Sequence, residues 1–313
     1  MNELLVKLIC RLKSTKHVYN RGERAEKLVQ RVNELYHDFT NLQYTRSHPE
    51  IFMQERKRWE KNAELFLSFT NPITIIDVGT GTGFVPLVIA KFLKREDLFI
   101  CSDISEGMLD VAKQNIDKQR VPCKFRFIKI ESNVPFRLPF ETSSADIVTM
   151  NSVLHHVNDT STFLKEVDRV LKSNGLLFIG HEPNRYFYEN RLLCGIRSIL
   201  VRANYSAHNV REKDSSLHHR ICREVNYVLS KEKLISSPLT VRDIERIVDV
   251  KSEEGFKPDL LLSNCKLVNV ETYSHLFGVT LNGNFIEKCD DWLRRRFPNH
   301  GRLFFAVLKK GFV

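Results

Sequence analysis

Apolar positions in this chain follow two alternating periods. Short β-branched or aromatic runs stand at 73–78, 98–103, 124–130, 146–150 and 176–180. Each has the length and composition of a strand. Between them lie stretches with apolar residues at helical spacing, at 84–92, 106–118 and 160–171. The first run carries Ile73, Ile75, Ile76 and Val78, which predicts a strand buried on both faces of a parallel sheet. Such regular alternation predicts an α/β fold with a doubly wound, mostly parallel sheet. Its crossovers are right-handed and its ligands bind at the carboxyl ends of the strands. Further helices are expected at 240–250 and 286–297, and strands at 266–277 and 302–308.

Two helical regions flank or interrupt this core. Residues 1–70 contain three stretches: Leu4, Leu5, Leu8, Ile9 and Leu12 mark the first; Leu28, Val32, Leu35 and Phe39 the second; Phe52, Trp59, Ala63, Phe66 and Leu67 the third. Asn71-Pro72 closes them. The division expected is an N-terminal helical cap over 1–70 and a main domain over 71–313, with a helical insertion at 185–238. The insertion carries Tyr186-Phe187-Tyr188, Arg191, Arg197 and Arg202. It reads either as a lid over an acceptor pocket or as a cap that closes a core. Tyr44, Arg46, Arg58 and Trp59 are the cap residues that could face a cleft.

The chemistry starts after the first strand, where Gly79, Gly81 and Gly83 stand at alternate positions. Glycine permits positive φ and lets a ligand approach the backbone. The dinucleotide pattern G-x-G-x-x-G fails here, because Phe84 or Pro86 occupies its third glycine. Asp77 precedes the turn, where a carboxylate disfavours a pyrophosphate and suits a cationic ligand. Asp103 ends the second strand, placed to accept from two ribose hydroxyls or to cap the following helix together with Ser105.

The segment Asp77-x-Gly79-x-Gly81-x-Gly83 resembles the first motif of the class I S-adenosylmethionine-dependent methyltransferases. Leu138-Pro139-Phe140, followed by Ser143-Ser144-Ala145-Asp146-Ile147-Val148, resembles the ubiquinone/menaquinone-biosynthesis group of small-molecule methyltransferases. The resemblance implies a Rossmann-like sheet of seven strands, the last antiparallel, and S-adenosyl-L-methionine as cofactor. It implies cofactor contacts from Asp77, Gly79, Thr80, Gly81, Thr82 and Gly83, and a ribose contact from Asp103. Ile104 and Met108 would border the adenine. Glu131 or Ser132 would serve where the family usually carries an Asp, and Asn151 and Ser152 would meet the methionine part. His156, and after it His155, are the candidate general bases, since histidine titrates near neutrality; one of them equally reads as structural. A metal site is not expected, because no carboxylate stands at matching spacing.

Composition narrows the acceptor only slightly. The formal net charge is +10, which fits nucleic acid, an anionic membrane surface or a solvated basic face. No Arg/Lys block interleaved with aromatics marks a nucleic-acid footprint. The cysteines number seven and form no C-x-x-C pair, as in a reduced cytoplasmic protein. No apolar run reaches the ~18 residues of a membrane span, although the first amphipathic stretch could lie on a membrane surface. The expected activity is methyl transfer by in-line displacement to a small-molecule or lipid-like acceptor. The alternatives are an RNA or protein methyltransferase, and a non-catalytic cofactor-binding protein acting in assembly or regulation.

Overall fold

The computed structural model describes residues 21–47, 49–207, 215–252, 254–276 and 283–311. The amphipathic stretch expected near the amino terminus lies outside them. A long helix, α1 (Arg21–Ser47), is followed by α2 (Pro49–Ala63). The α/β core then runs β1 (Thr74–Val78), α3 (Phe84–Ile89), β2 (Leu98–Asp103), α4 (Glu106–Asp117), β3 (Lys124–Lys129), β4 (Ala145–Asn151), α5 (Thr160–Val170) and β5 (Leu171–Pro183). The insertion holds α6 (Arg185–Glu189), α7 (Arg191–Ala207) and α8 (Ser215–Lys231). After it come α9 (Val241–Val248), β6 (Cys265–Tyr273), α10 (Gly283–Arg296) and β7 (Leu303–Lys310). One seven-stranded sheet has the order β3-β2-β1-β4-β5-β7-β6. The first five strands pair in parallel, and β7 is antiparallel to both neighbours. This is the expected doubly wound, Rossmann-like methyltransferase fold.

Burial on both faces explains the continuous apolar strands. Ile75, Phe99, Ile147 and Phe178 point to one layer, with Trp59 of α2 and Val85 and Val88 of α3. Their chain neighbours Ile76, Ile100, Val148 and Ile179 point to the other, against Phe163, Leu164 and Val167 of α5. One expectation shifts locally. β5 extends past Gly180 to Pro183, because antiparallel β7 continues the pairing there (Pro183↔Leu303). The cap of α5 is Asp159, whose side chain accepts from the Thr162 N–H.

Among the described residues, the insertion packs in two places. Phe187 and Leu193 pack with Leu276 and Leu293 in a satellite cluster. Val225 and Leu229 of α8 pack with Val32 of α1 and Ile247 of α9. Of the two readings of the insertion, the cap that closes a core accords with these contacts, while α1 runs across the strand ends. It is pinned across the carboxyl edge of the sheet by side chains along its length. Glu26 accepts from Asn158 and the Asp159 N–H (2.9 and 3.1 Å), Gln30 donates to the Asn133 carbonyl (2.9 Å), and Asp38 accepts from Ser105 Oγ (2.6 Å).

Candidate active site

The turn after β1 is held open by its own backbone. The Gly79 and Thr80 N–H groups donate to the Ser102 carbonyl at 2.8 and 3.0 Å. Gly79, Gly81 and Gly83 have φ of +71°, +55° and +91°, the left-handed region that side chains resist. Their surroundings differ. A Cβ on Gly79 would meet Val153 at 2.5 Å and one on Gly83 would meet the Ala112 backbone at 3.3 Å, whereas one on Gly81 would meet nothing within 4 Å. Gly79 and Gly83 are thus small for packing, and Gly81 leaves space for a ligand.

The two carboxylates of the motif have different settings. Asp77 is 1% exposed; its oxygens accept from Thr149 Oγ1 (2.6 Å) and Thr80 Oγ1 (2.8 Å). Burial pushes its pKa up to about 7, against the pull of the two hydroxyls. Asp103 accepts from the Gly81 and Ser105 N–H groups at 2.8 and 2.9 Å. Burial raises it to about 6, opposed by those N–H groups. The helix cap itself is Ser105, whose hydroxyl accepts from the Met108 N–H at 3.0 Å.

A cavity opens above these strand ends. Gly79, Thr80, Gly81, Thr82, Asp103, Ile104, Met108, Asn151, Ser152 and His156 line it. Of the other expected site residues, Asp77 sits behind the turn and Gly83 faces α4. Glu131 is exposed, and Ser132, His155 and Glu131 do not line the cavity. The opposite wall was not anticipated: Glu26, Val29, Gln30, Asn33 and His37 of α1 line it, and the adjoining rings of Phe136 and Phe163, 5.1 Å apart, line the cavity too. The polar members recur at helical spacing, a second stripe beside the apolar one, and that was the signal available in the sequence. Gln30 Oε1, Asn33 Oδ1, Ser132 Oγ and Ser152 Oγ are buried without a hydrogen-bond partner. Among the cap residues, Trp59 reaches the site indirectly: its Nε1–H donates to Asn151 Oδ1 at 2.9 Å. Arg58 instead stacks on Tyr273 (3.5 Å) and pairs with Glu55 and Glu271. The side chains of Tyr44 and Arg46 lie outside the described residues.

The adjacent histidines occupy a 3₁₀ turn, Leu154–His156. Fully buried Glu182 accepts from the Val153, Leu154 and His155 N–H groups and is 2.8 Å from His155 Nδ1. His156 Nδ1 is 2.8 Å from the Val248 carbonyl, so this nitrogen carries the proton and Nε2 holds the lone pair. Burial, and then the charge of His155, lower the His156 pKa to about 4. Burial opposes protonation of His155 too, but the charge and hydrogen bond of Glu182 carry its pKa upward. The fold also delivers a carboxylate that sequence spacing hid: Asp249 Oδ1 lies 4.0 Å from His155 Nε2 and 3.5 Å from His156 Nδ1.

Residues 76–179 match a family model described as a methyltransferase domain. The demethylmenaquinone methyltransferase of Bacteroides fragilis is 29% identical over 160 residues, 51% of this chain and 62% of that protein. That of Oceanobacillus iheyensis is 27% identical over 186 residues, covering 56% of this chain and 76% of the relative. A methyltransferase structure from Aquifex aeolicus superposes with a TM-score of 0.42 at 16% identity, over 80% of this chain and 88% of that one. The fold and the turn after β1 define a class I S-adenosylmethionine-dependent methyltransferase domain. Residues 76–179 carry that methyltransferase domain, and the chain is distantly homologous to the demethylmenaquinone methyltransferases. It spans 62% of the length of the first of these relatives.

Proposed function

We propose that this chain transfers a methyl group from S-adenosylmethionine to a small-molecule acceptor bound beneath α1. The observation that carries this reading is the two-walled cavity: strand-end residues of the family motif on one side, a polar helical stripe on the other. The residues present fit the cofactor. Gly81 leaves open space at its Cβ position, and the orphaned Ser152 hydroxyl adjoins Asn151 at the end of β4. Buried polar atoms without partners suit a hydrogen-bonding ligand. When bound, the cofactor supplies an electrophilic sulfonium methyl.

The chain's own residues would then bind, align and exclude water. Asp103 would accept from the ribose hydroxyls, and its link to the Gly81 N–H would set the turn's position. Ile104 and Met108 would flank the base, while Asn151, oriented by Trp59, would hold the methionine end. Alignment within an enclosed cavity supplies much of the acceleration for such a displacement. His156 offers an uncharged nitrogen, available to a proton leaving the acceptor or to a cation. We assign no cofactor contact to Glu131 or Asp77, whose role here is to brace Thr80 and Thr149.

The named activity of the relatives supports a small acceptor, and the paired rings of Phe136 and Phe163 give the cavity an apolar patch suited to a ring or lipid-like body. The domain division proposed is a helical cap over 1–70, contributing the acceptor wall, on a main domain of 71–313 that carries the insertion 185–238. Among the described residues no helix is long and apolar enough to cross a membrane. A cytoplasmic protein with peripheral access to a lipid-like acceptor accords with this reading. Incubation with methyl-labelled S-adenosylmethionine and a whole-cell extract tests it. Label should enter a solvent-extractable fraction and depend on Asp103. Label confined to acid-precipitated RNA or protein would overturn the small-molecule reading.

A further inference from the structure

Beside the cavity, three metal-competent side chains meet from two parts of the chain. His155 and His156 come from the 3₁₀ turn after β4, and Asp249 from the end of α9. Each brings a ligand-capable atom within 4.8 Å of the others. We propose that His155, His156 and Asp249 form a binding site for a divalent transition-metal cation, with zinc as its probe, at the rim of the cavity.

The outer contacts favour this use. A metal-bound imidazole typically donates its second nitrogen to a carboxylate or carbonyl, which fixes the ring and raises its basicity. His155 has that arrangement before any cation arrives: its Nδ1 faces Glu182 at 2.8 Å, and its Nε2 is left as a ligand 4.0 Å from Asp249 Oδ1. His156 meets the same carboxylate oxygen through Nδ1 at 3.5 Å and would exchange its bond to the Val248 carbonyl for the cation. Asp249 is bracketed by two contacts to the same turn, the His156–Val248 bond and the Lys251 N–H to the His155 carbonyl at 2.9 Å. Its carboxylate is about half exposed and can swing inward to close the coordination sphere. Two imidazoles and a carboxylate are a known donor set for zinc that leaves a position open. The charge is suitable: buried Glu182 touches His155, and half-exposed Asp249 approaches both rings.

Of the three, His156 lines the cavity, so a bound cation would sit beside the acceptor space with His156 as its ligand, and would lower the proton affinity of a group placed there. The site does not depend on the methyl-transfer reading, and metal binding can be measured without turnover.

The test is calorimetric titration of zinc chloride into the full chain, stripped with chelator and kept reduced, with cobalt(II) absorption as a second readout. The expected result is one equivalent bound, with the visible band of a nitrogen- and oxygen-ligated cobalt site. Asp249→Ala removes a half-exposed side chain and should leave the fold intact. It should weaken binding by at least roughly tenfold, and His156→Gln should do the same. Cysteine-bound zinc would survive both variants. No binding at one equivalent, or binding unchanged by Asp249→Ala, would overturn the proposal.

Discussion

The two walls of the cavity are built in different ways. The strand-end wall is rigid: left-handed glycines, carbonyl-anchored N–H groups and two buried aspartates hold it, and its polar atoms largely satisfy one another. The α1 wall is a single helix face whose amide groups donate to backbone carbonyls while the Gln30 and Asn33 oxygens stay unpartnered. One wall is preorganised for one constant ligand. The other is attached by side-chain contacts and can differ without disturbing the sheet. The difference separates donor from acceptor recognition within one cavity.

Removing Asp103 tests the first wall with the largest effect. A hydrogen bond to a charged group contributes about 1.5–3 kcal/mol, so losing two ribose contacts in Asp103→Ala should weaken S-adenosylhomocysteine binding on the order of a hundredfold. Calorimetry reads this directly. The glycines sharpen the comparison within that wall. Gly79→Ala, driven into Val153, should cost ~3 kcal/mol of unfolding free energy. Gly81→Ala should cost only ~1 kcal/mol yet weaken the cofactor analogue by roughly tenfold, because the new methyl occupies ligand space. Equal stability losses in the two variants would contradict the division of roles.

Acidity gives a smaller, graded effect. Asp103 titrates at about 6 in the folded protein because burial disfavours its charge. The ribose contacts need the carboxylate, so analogue binding should weaken by about tenfold per pH unit below that value, and Asp103→Asn should flatten the profile. Stability runs the other way. Folded pKa values near 6 and 7 for Asp103 and Asp77 exceed the ordinary aspartate value of 3.8, so the folded state holds more protons between them. These two groups favour folding most below about pH 4, and their contribution is lost as pH rises to about 7. Chemical denaturation across that window, with each Asp→Asn variant, measures it.

The least effect on the cofactor is expected from the second wall. Asn33→Ala and Gln30→Ala should leave analogue affinity within about twofold, surface-like in size, while lowering turnover once an acceptor is found. A large loss of cofactor affinity in either variant would merge the two walls.

The alternation of strands and helices, the glycine turn and the place of Asp103 at a strand end were legible because local periodicity and backbone freedom dictate them. The same reasoning left the insertion open between a lid and a packed cap: composition alone does not say where Tyr186 to Tyr188 face, and Phe187 packs on Leu276 and Leu293, a long-range contact that no local pattern encodes. Glu26, Gln30, Asn33 and His37 were overlooked because the apolar stripe of α1 dominates its reading, and polar residues on a helix default to solvent. Asp249 escaped for another reason: α9 brings it to His155 and His156 across nearly a hundred residues, so sequence spacing carried no sign of it.

The central claim is that the turn from Gly79 to Gly83, with Asp103, holds S-adenosylmethionine. Calorimetric titration of S-adenosylhomocysteine into the intact chain tests it most directly. The account predicts one analogue bound per chain, with micromolar or tighter affinity. An absence of binding by folded protein at neutral pH would contradict it.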